Sequence, residues 1–287
     1  MDKESTPKIY GVLGFPAKHS LSPAMHNAAF RALHINAEYQ IFEVKPEGLN
    51  DFLQSLSEKD IYGFNITVPY KEKILGSVTL DAESFYLRQI GAINTIVREE
   101  NILRGFNTDI PGFARHLKEN FDPSHKRVAI LGAGGAGKAV AYVLASYAAA
   151  EIAIFDIDRV KANNLAQMIK GLFPNLPILI ANNLDELKIK EKDLLVNATP
   201  VGLKAADPCL LKEEMLHKHL FVYDLVYNPR ETKLLALAKK VGAKTANGSG
   251  MLLYQGMLSF EKWTGKVAPE TIMRNALEKE LEGCNTL

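Results

Sequence analysis

The residues in this sequence best equipped for chemistry are polar groups that interrupt apolar runs. In His19-Ser20-Leu21-Ser22-Pro23 two hydroxyls stand beside the start of a predicted helix. Together they make a seat for a carboxylate at a helix N-terminus; either serine alone could instead cap that helix. In Asn65-Ile66-Thr67-Val68-Pro69-Tyr70-Lys71 polar and apolar residues alternate, so Asn65 and Thr67 share one face of a strand. Lys71 opens the next predicted helix, where a cation opposes the helix dipole; the plain alternative is a solvated surface lysine. Asn94-Thr95 and Asn107-Thr108-Asp109 are further polar breaks, and Asp109 precedes Ile110-Pro111, so that it could serve simply as an N-cap.

A second kind of site is glycine-rich. Gly132-Ala133-Gly134-Gly135-Ala136-Gly137 fits G-x-G-x-x-G, follows the apolar run Val128–Leu131 and opens a helix. In that context the glycines permit a tight turn and close backbone approach to a pyrophosphate, with helix N–H groups as donors. Asp156 ends the next apolar run, in the place of a ribose-binding acid. Outside that context the same residues read as a plain turn and a surface aspartate. Asn197-Ala198-Thr199-Pro200-Val201-Gly202 follows a later strand of the same unit, where a loop either borders a cofactor crevice or merely connects elements.

Short apolar runs alternating with amphipathic stretches supply the scaffold and predict an α/β protein. Strands are predicted over Ile9–Leu13, Tyr39–Val44, Gly63–Val68, Ala92–Arg98 and Ile102–Phe106, and helices over Pro23–Leu33, Glu47–Leu56 and Tyr70–Leu75. A fresh βα series starts after Asn120-Phe121-Asp122-Pro123-Ser124. Its strands are Arg127–Leu131, Ile152–Asp156, Leu194–Asn197 and Phe221–Leu225, with helices at Gly137–Tyr147, Arg159–Ile169 and Thr232–Val241. After Asn247-Gly248 the chain reads as helix to its end, broken at Gly265–Pro269. The expected division is a first domain over 1–109, a Rossmann domain over 110–246, and C-terminal helices over 247–287 that return to the first domain.

Composition narrows the function classes. The net charge of +1 and the lack of a Lys/Arg block argue against a nucleic-acid surface. The polar Met1–Lys8 lacks the apolar core of a signal peptide. Ala139–Ala150, bounded by Lys138 and Glu151, is too short to span a bilayer and reads as a packed helix. Cys209 and Cys284 are the only cysteines, which suggests neither a disulfide framework nor a metal site. A cytoplasmic protein without metal, acting on a small molecule as a monomer or homodimer, is expected.

The ordered motifs resemble the shikimate dehydrogenase family over nearly the whole chain. They are Gly14-Phe15-Pro16 with His19 to Pro23, Asn65 to Lys71, Gly91-Ala92-Ile93-Asn94-Thr95, Gly105-Phe106-Asn107-Thr108-Asp109, the glycine loop, Asn197 to Pro200, Asp224 to Tyr227 with Pro229, and Asn247-Gly248 through Gln255. The resemblance implies reversible, nicotinamide-dependent reduction of 3-dehydroshikimate to shikimate. It implies that Ser20 and Ser22 hold the substrate carboxylate with help from Tyr227. Thr67, Asn94, Asp109 and Gln255 would bind hydroxyls or the carboxylate, and Lys71 and Asp109 would be catalytic. Gly132, Ala133, Gly134, Gly135 and Ala136 would cradle the pyrophosphate, while Leu225 and Gly248 would line the nicotinamide site. A lysine suits ketone reduction because it can both stabilise the developing oxyanion and supply a proton, directly or through a water.

One departure concerns the cofactor. NADP-using members of the family carry an arginine after the second Rossmann strand, and Ile157 holds that position here, within Asp156-Ile157-Asp158-Arg159. This favours NAD over NADP, although Arg159 has the reach to meet a 2′-phosphate. Two other readings are a quinate or dual quinate/shikimate dehydrogenase and a non-catalytic dinucleotide sensor; a sensor has no need of both Lys71 and Asp109.

Overall fold

β1 (Lys8–Gly14) carries an apolar run that is buried from Tyr10 onward. The computed structural model to which it belongs describes residues 6–80 and 86–284. α1 (Ser22–Ala32) follows with Met25, Ala29 and Phe30 buried on one stripe, the spacing of an amphipathic helix. Next come β2 (Ala37–Glu43), α2 (Leu49–Gln54), β3 (Ile61–Ile66), α3 (Tyr86–Ile90), β4 (Thr95–Glu99) and β5 (Ile102–Phe106). They form a five-stranded sheet in the order β2-β1-β3-β4-β5. β1 runs parallel to β2 and β3, whereas β4 is antiparallel to both its neighbours.

α4 (Asp109–Asn120) leads into β6 (Arg127–Leu131), α5 (Gly135–Ser146), β7 (Glu151–Phe155), α6 (Arg159–Leu172), β8 (Ile178–Ile180), β9 (Leu194–Asn197), β10 (Phe221–Asp224), α7 (Lys233–Lys240) and β11 (Lys244–Asn247). These strands make a wholly parallel six-stranded sheet, β11-β10-β9-β6-β7-β8. That is the doubly wound dinucleotide-binding order, with its switch point between β6 and β9. α8 (Ser249–Thr264) and α9 (Glu270–Cys284) complete the chain. The fold is therefore α/β, an N-terminal α/β domain plus a Rossmann domain.

Two compact units result. One comprises the described residues within Met1–Thr108 and Leu252–Gly283, and the other is Asp109–Met251. The C-terminal helices belong with the first sheet: Trp263 on α8 donates its indole N–H to the Ile96 carbonyl at 2.8 Å and packs beside Tyr10 and Tyr39. Among the described residues no helix is long and apolar enough to cross a membrane.

Several elements differ from the sequence reading. Tyr70–Leu75 is not a helix: the chain turns there and only Lys73–Ser77 forms a short 3-10 helix. The cause is Tyr70, whose fully buried side chain donates its hydroxyl to the Val44 carbonyl, fixing the backbone in a turn. The helix-dipole objection to Lys71 therefore lapses. Similarly, β4 begins only at Thr95: the Ile93 N–H donates to the Lys71 carbonyl and the Ala92 carbonyl accepts from the Asn107 side chain, so that Ala92 and Ile93 lie outside the ladder. β8 and β11 escape the sequence reading because they are edge strands of only three and four residues, partly exposed, and β11 has no apolar run. α4 was likewise not foreseen as a helix.

Candidate functional site

Ser20, Ser22, Thr67, Lys71, Asn94 and Gln255 all lie in the first unit. Because β1 and β3 are parallel and β4 and β5 run against and with them in turn, the ends of β1 and β3, the start of β4 and the end of β5 share one edge of the sheet. Backbone bonds tie these ends together: Phe15 N–H to the Val68 carbonyl at 3.0 Å, Ile93 N–H to the Lys71 carbonyl at 2.9 Å, and Asn94 N–H to the Phe106 carbonyl at 3.0 Å. Gly14 is required at the first end, since a Cβ there would stand 2.3 Å from the Thr67 methyl.

Leu21 occupies the N-cap of α1 without a side-chain capping bond. The Ser20 hydroxyl accepts the Ser22 N–H at 3.3 Å, which draws the two serines together at the helix start. The end of the edge strand β2 steadies this loop, for Glu43 accepts the Ala17 N–H at 3.2 Å and pairs with Lys18 at 3.4 Å.

Beneath the edge lies a buried polar network that the sequence reading did not assemble. Asn65 accepts the Tyr39 hydroxyl at 2.8 Å and donates to Thr95 at 3.0 Å and to Ser259 on α8 at 2.8 Å. The Asn94 amide accepts the Thr108 N–H at 2.7 Å and donates to the Thr108 hydroxyl at 2.9 Å and to Gln255 at 3.3 Å. Every member is neutral and buried, so the network fixes Asn94 and Gln255 with little electrostatic penalty. His26 stacks on Tyr39 at 4.3 Å between ring centroids. Neither of its ring nitrogens has a hydrogen-bond partner among the described residues, and burial pushes its pKa down to about 3.

Asp109, Tyr227 and all the residues expected to contact a dinucleotide belong to the second unit. Asp109 opens α4, whereas the loops that carry Tyr227 and the residues expected to contact a dinucleotide follow β6, β7, β9, β10 and β11, whose parallel pairing brings those loops to one edge. Gly132 has φ +98, and a Cβ on it would meet the Ala198 carbonyl at 2.8 Å. By contrast, a Cβ on Gly134 would meet nothing within 4 Å. The loop thus closes tightly against Ala198, just past β9, while leaving open space at the N-terminus of α5, where a pyrophosphate would find free N–H donors. These residues fit a dinucleotide.

Asp156 follows β7 and is held by two backbone donors, Ala133 N–H at 2.7 Å and Asp158 N–H at 2.8 Å. Asp158 caps α6 through Val160 and Lys161 N–H. Ile157 is 93% exposed, and the Arg159 guanidinium donates to the Asn182 side chain. In the loop after β9, Thr199 donates its N–H and hydroxyl to Asn197 at 3.0 and 2.7 Å. Gly248 approaches Leu225 so closely that a Cβ would lie 2.0 Å from the Leu225 carbonyl oxygen.

A doubly wound sheet with this loop, in one chain with a domain whose sheet edge gathers hydroxyl and amide side chains, defines a nicotinamide-dinucleotide-dependent oxidoreductase. Residues 12–96 match the family model of the shikimate dehydrogenase substrate binding domain, and residues 248–278 match that of the shikimate 5'-dehydrogenase C-terminal domain. The shikimate dehydrogenase (NADP(+)) of Methanopyrus kandleri is 42% identical, over 97% of each chain. The crystal structure of shikimate dehydrogenase from Aquifex aeolicus superposes with a TM-score of 0.86 at 36% identity, covering 96% of this chain and 99% of that one. Shikimate 5-dehydrogenase from Listeria monocytogenes, in complex with shikimate and NAD, gives 0.84 at 33% identity, covering 96% and 98%. The chain belongs to the shikimate dehydrogenase family.

Proposed function

We propose that this protein catalyses the reversible reduction of 3-dehydroshikimate to shikimate in aromatic amino acid biosynthesis. The observation that carries this reading is the buried network that presents Asn94 and Gln255 at the same sheet edge as Ser20, Thr67 and Lys71, a surface suited to a polyhydroxylated carboxylate. Ser20 and Ser22 seat the carboxylate, with Tyr227 as a further donor. Thr67, Asn94 and Gln255 bind ring hydroxyls. Lys71 holds the proton that the carbonyl oxygen receives and stabilises the charge developing there. Asp109 accepts a hydrogen bond from the neighbouring hydroxyl. When bound, the nicotinamide supplies or accepts the hydride. Gly132 to Ala136 hold the pyrophosphate, and Thr199, Leu225 and Gly248 line the nicotinamide site. Incubation with shikimate or quinate and either oxidised cofactor, followed by absorbance of the reduced nicotinamide, tests the reading. Turnover of shikimate well above quinate is expected; preferential turnover of quinate, or binding without turnover, would overturn it.

We further propose a preference for NAD. The Asp156 carboxylate is anchored by two backbone N–H groups and retains acceptor capacity for ribose hydroxyls. A 2′-phosphate beside it would meet about 4 kcal/mol of repulsion per unit-charge pair at ~4 Å and an effective dielectric near 20, reduced by salt. Ile157 supplies no counter-charge, and Arg159 is engaged with Asn182. Catalytic efficiency measured with both cofactors at matched ionic strength should favour NAD by about tenfold or more, and Asp156→Asn should narrow the gap. A clear preference for NADP would sink the proposal.

A further inference from the structure

Asp224, the last residue of β10, is a carboxylate with no solvent exposure. Among the described residues no cation pairs with it. It accepts three hydrogen bonds instead: from Asn197 Nδ2 at 2.8 Å, Val226 N–H at 3.0 Å and the Thr232 hydroxyl at 2.6 Å. Burial pushes its pKa up, and the three bonds pull the other way. Stability alone does not favour an unpaired carboxylate at such a place, since burying one is costly even when it is hydrogen-bonded.

Its three donors come from three different elements. Asn197 ends β9, and its Oδ1 accepts both the N–H and the hydroxyl of Thr199. Val226 sits between Leu225 and Tyr227. Thr232 caps α7 by accepting the Leu235 N–H at 3.2 Å. Because the Asp224 carboxyl accepts in all three bonds, it sets Asn197 with Nδ2 inward and Oδ1 at Thr199. It also forces the Thr232 hydroxyl to donate inward and keep its lone pair for the helix.

We infer that Asp224 is a positioning residue for the dinucleotide, setting through Asn197, Val226 and Thr232 the orientation of the 198–202 and 225–230 loops. The inference rests on the dinucleotide reading of this unit. It makes a graded claim. Asp224→Ala removes all three bonds. Asp224→Asn keeps at most the two bonds that Oδ1 accepts, because its amide nitrogen would face the Thr232 hydroxyl as a donor, and Thr232→Val removes one donor.

The test measures KM for the dinucleotide, KM for shikimate and kcat in purified full-length parent and variants, with direct binding of reduced dinucleotide followed by its fluorescence. Loss of hydrogen bonds to a charged group predicts a rise of about tenfold to a hundredfold in dinucleotide KM for Asp224→Ala. Asp224→Asn and Thr232→Val should show smaller rises, and shikimate KM should rise by less than dinucleotide KM in every variant, since Tyr227 is the one proposed substrate residue on these loops. If Asp224→Ala does not fold, the other two variants carry the test. Equal rises in both KM values, or a dinucleotide KM unchanged in every folded variant, would overturn the inference. Failure of the parent itself to bind either dinucleotide would instead overturn the functional reading on which it rests.

Discussion

The two halves of the machinery are held in place by opposite means. In the first unit Asn65, Asn94, Thr95, Thr108, Gln255 and Ser259 form a neutral web of amides and hydroxyls. In the second, glycine backbone does the shaping and the buried Asp224 carboxylate, on the inference above, orients the loops. The ligand chemistry explains the contrast. A polyhydroxylated ring needs directional side-chain donors and acceptors, and a neutral web can fix these without adding a field that disturbs a catalytic cation. A pyrophosphate is read by backbone N–H groups, so there the side chains have only to hold backbone still, and a strong acceptor does that best.

The hardest blow to this contrast falls on Lys71, the cation proposed to act at the substrate edge. Lys71→Ala should lower kcat by about 10²–10⁴ while leaving dinucleotide KM near that of the parent. Turnover within a few-fold of the parent in a folded variant would show that the neutral web alone suffices. Ser20→Ala and Ser22→Ala sharpen the comparison at smaller cost. A carboxylate remote from the reacting carbon is bound equally in ground and transition states. Each substitution should therefore raise shikimate KM with little change in kcat or dinucleotide KM. A fall in kcat at constant KM would remove the serines from the carboxylate seat.

Acid probes the web itself. His26 has a folded pKa of about 3 against an ordinary 6.5, so the unfolded chain binds the extra proton between those values. Its neutral burial is fully tolerated above about pH 6.5, and stability falls as pH drops through that window towards 3. At ~pH 4.5 the loss is about 3 kcal/mol. Thermal melts of the parent and His26→Leu across this range should show a steeper acid decline in the parent; parallel curves would contradict the assignment.

The sequence made some of this legible and concealed the rest for physical reasons. Apolar runs marked the ends of β1, β6 and β9 to within a residue, because buried parallel strands are uninterrupted, whereas β3, read from its alternation to end at Val68, ends at Ile66. Lys71 was found by its residue type but placed on the wrong element. Nothing in Pro69-Tyr70-Lys71 announces that Tyr70 turns inward to Val44. The network joining Asn65 to Ser259 spans 194 positions and leaves no local trace. Asp224 was visible only as part of a motif, since a buried acid at a strand end looks like any surface aspartate.

One further consequence concerns the order in which the chain is made. The first unit is completed by Gln255, Ser259 and Trp263 on α8, yet Asp109–Met251 lies between those residues and β5. During synthesis from the N-terminus, β1 to β5 leave the ribosome lacking the partners of Asn65, Thr95 and the Ile96 carbonyl. The Rossmann unit, encoded in one stretch, has everything it needs to fold first. The substrate domain, though first in sequence, must wait for nearly the last helix. A nascent chain arrested near residue 250 would carry a finished dinucleotide domain beside an open sheet, and that interval is when the protein is most exposed to aggregation and to chaperones.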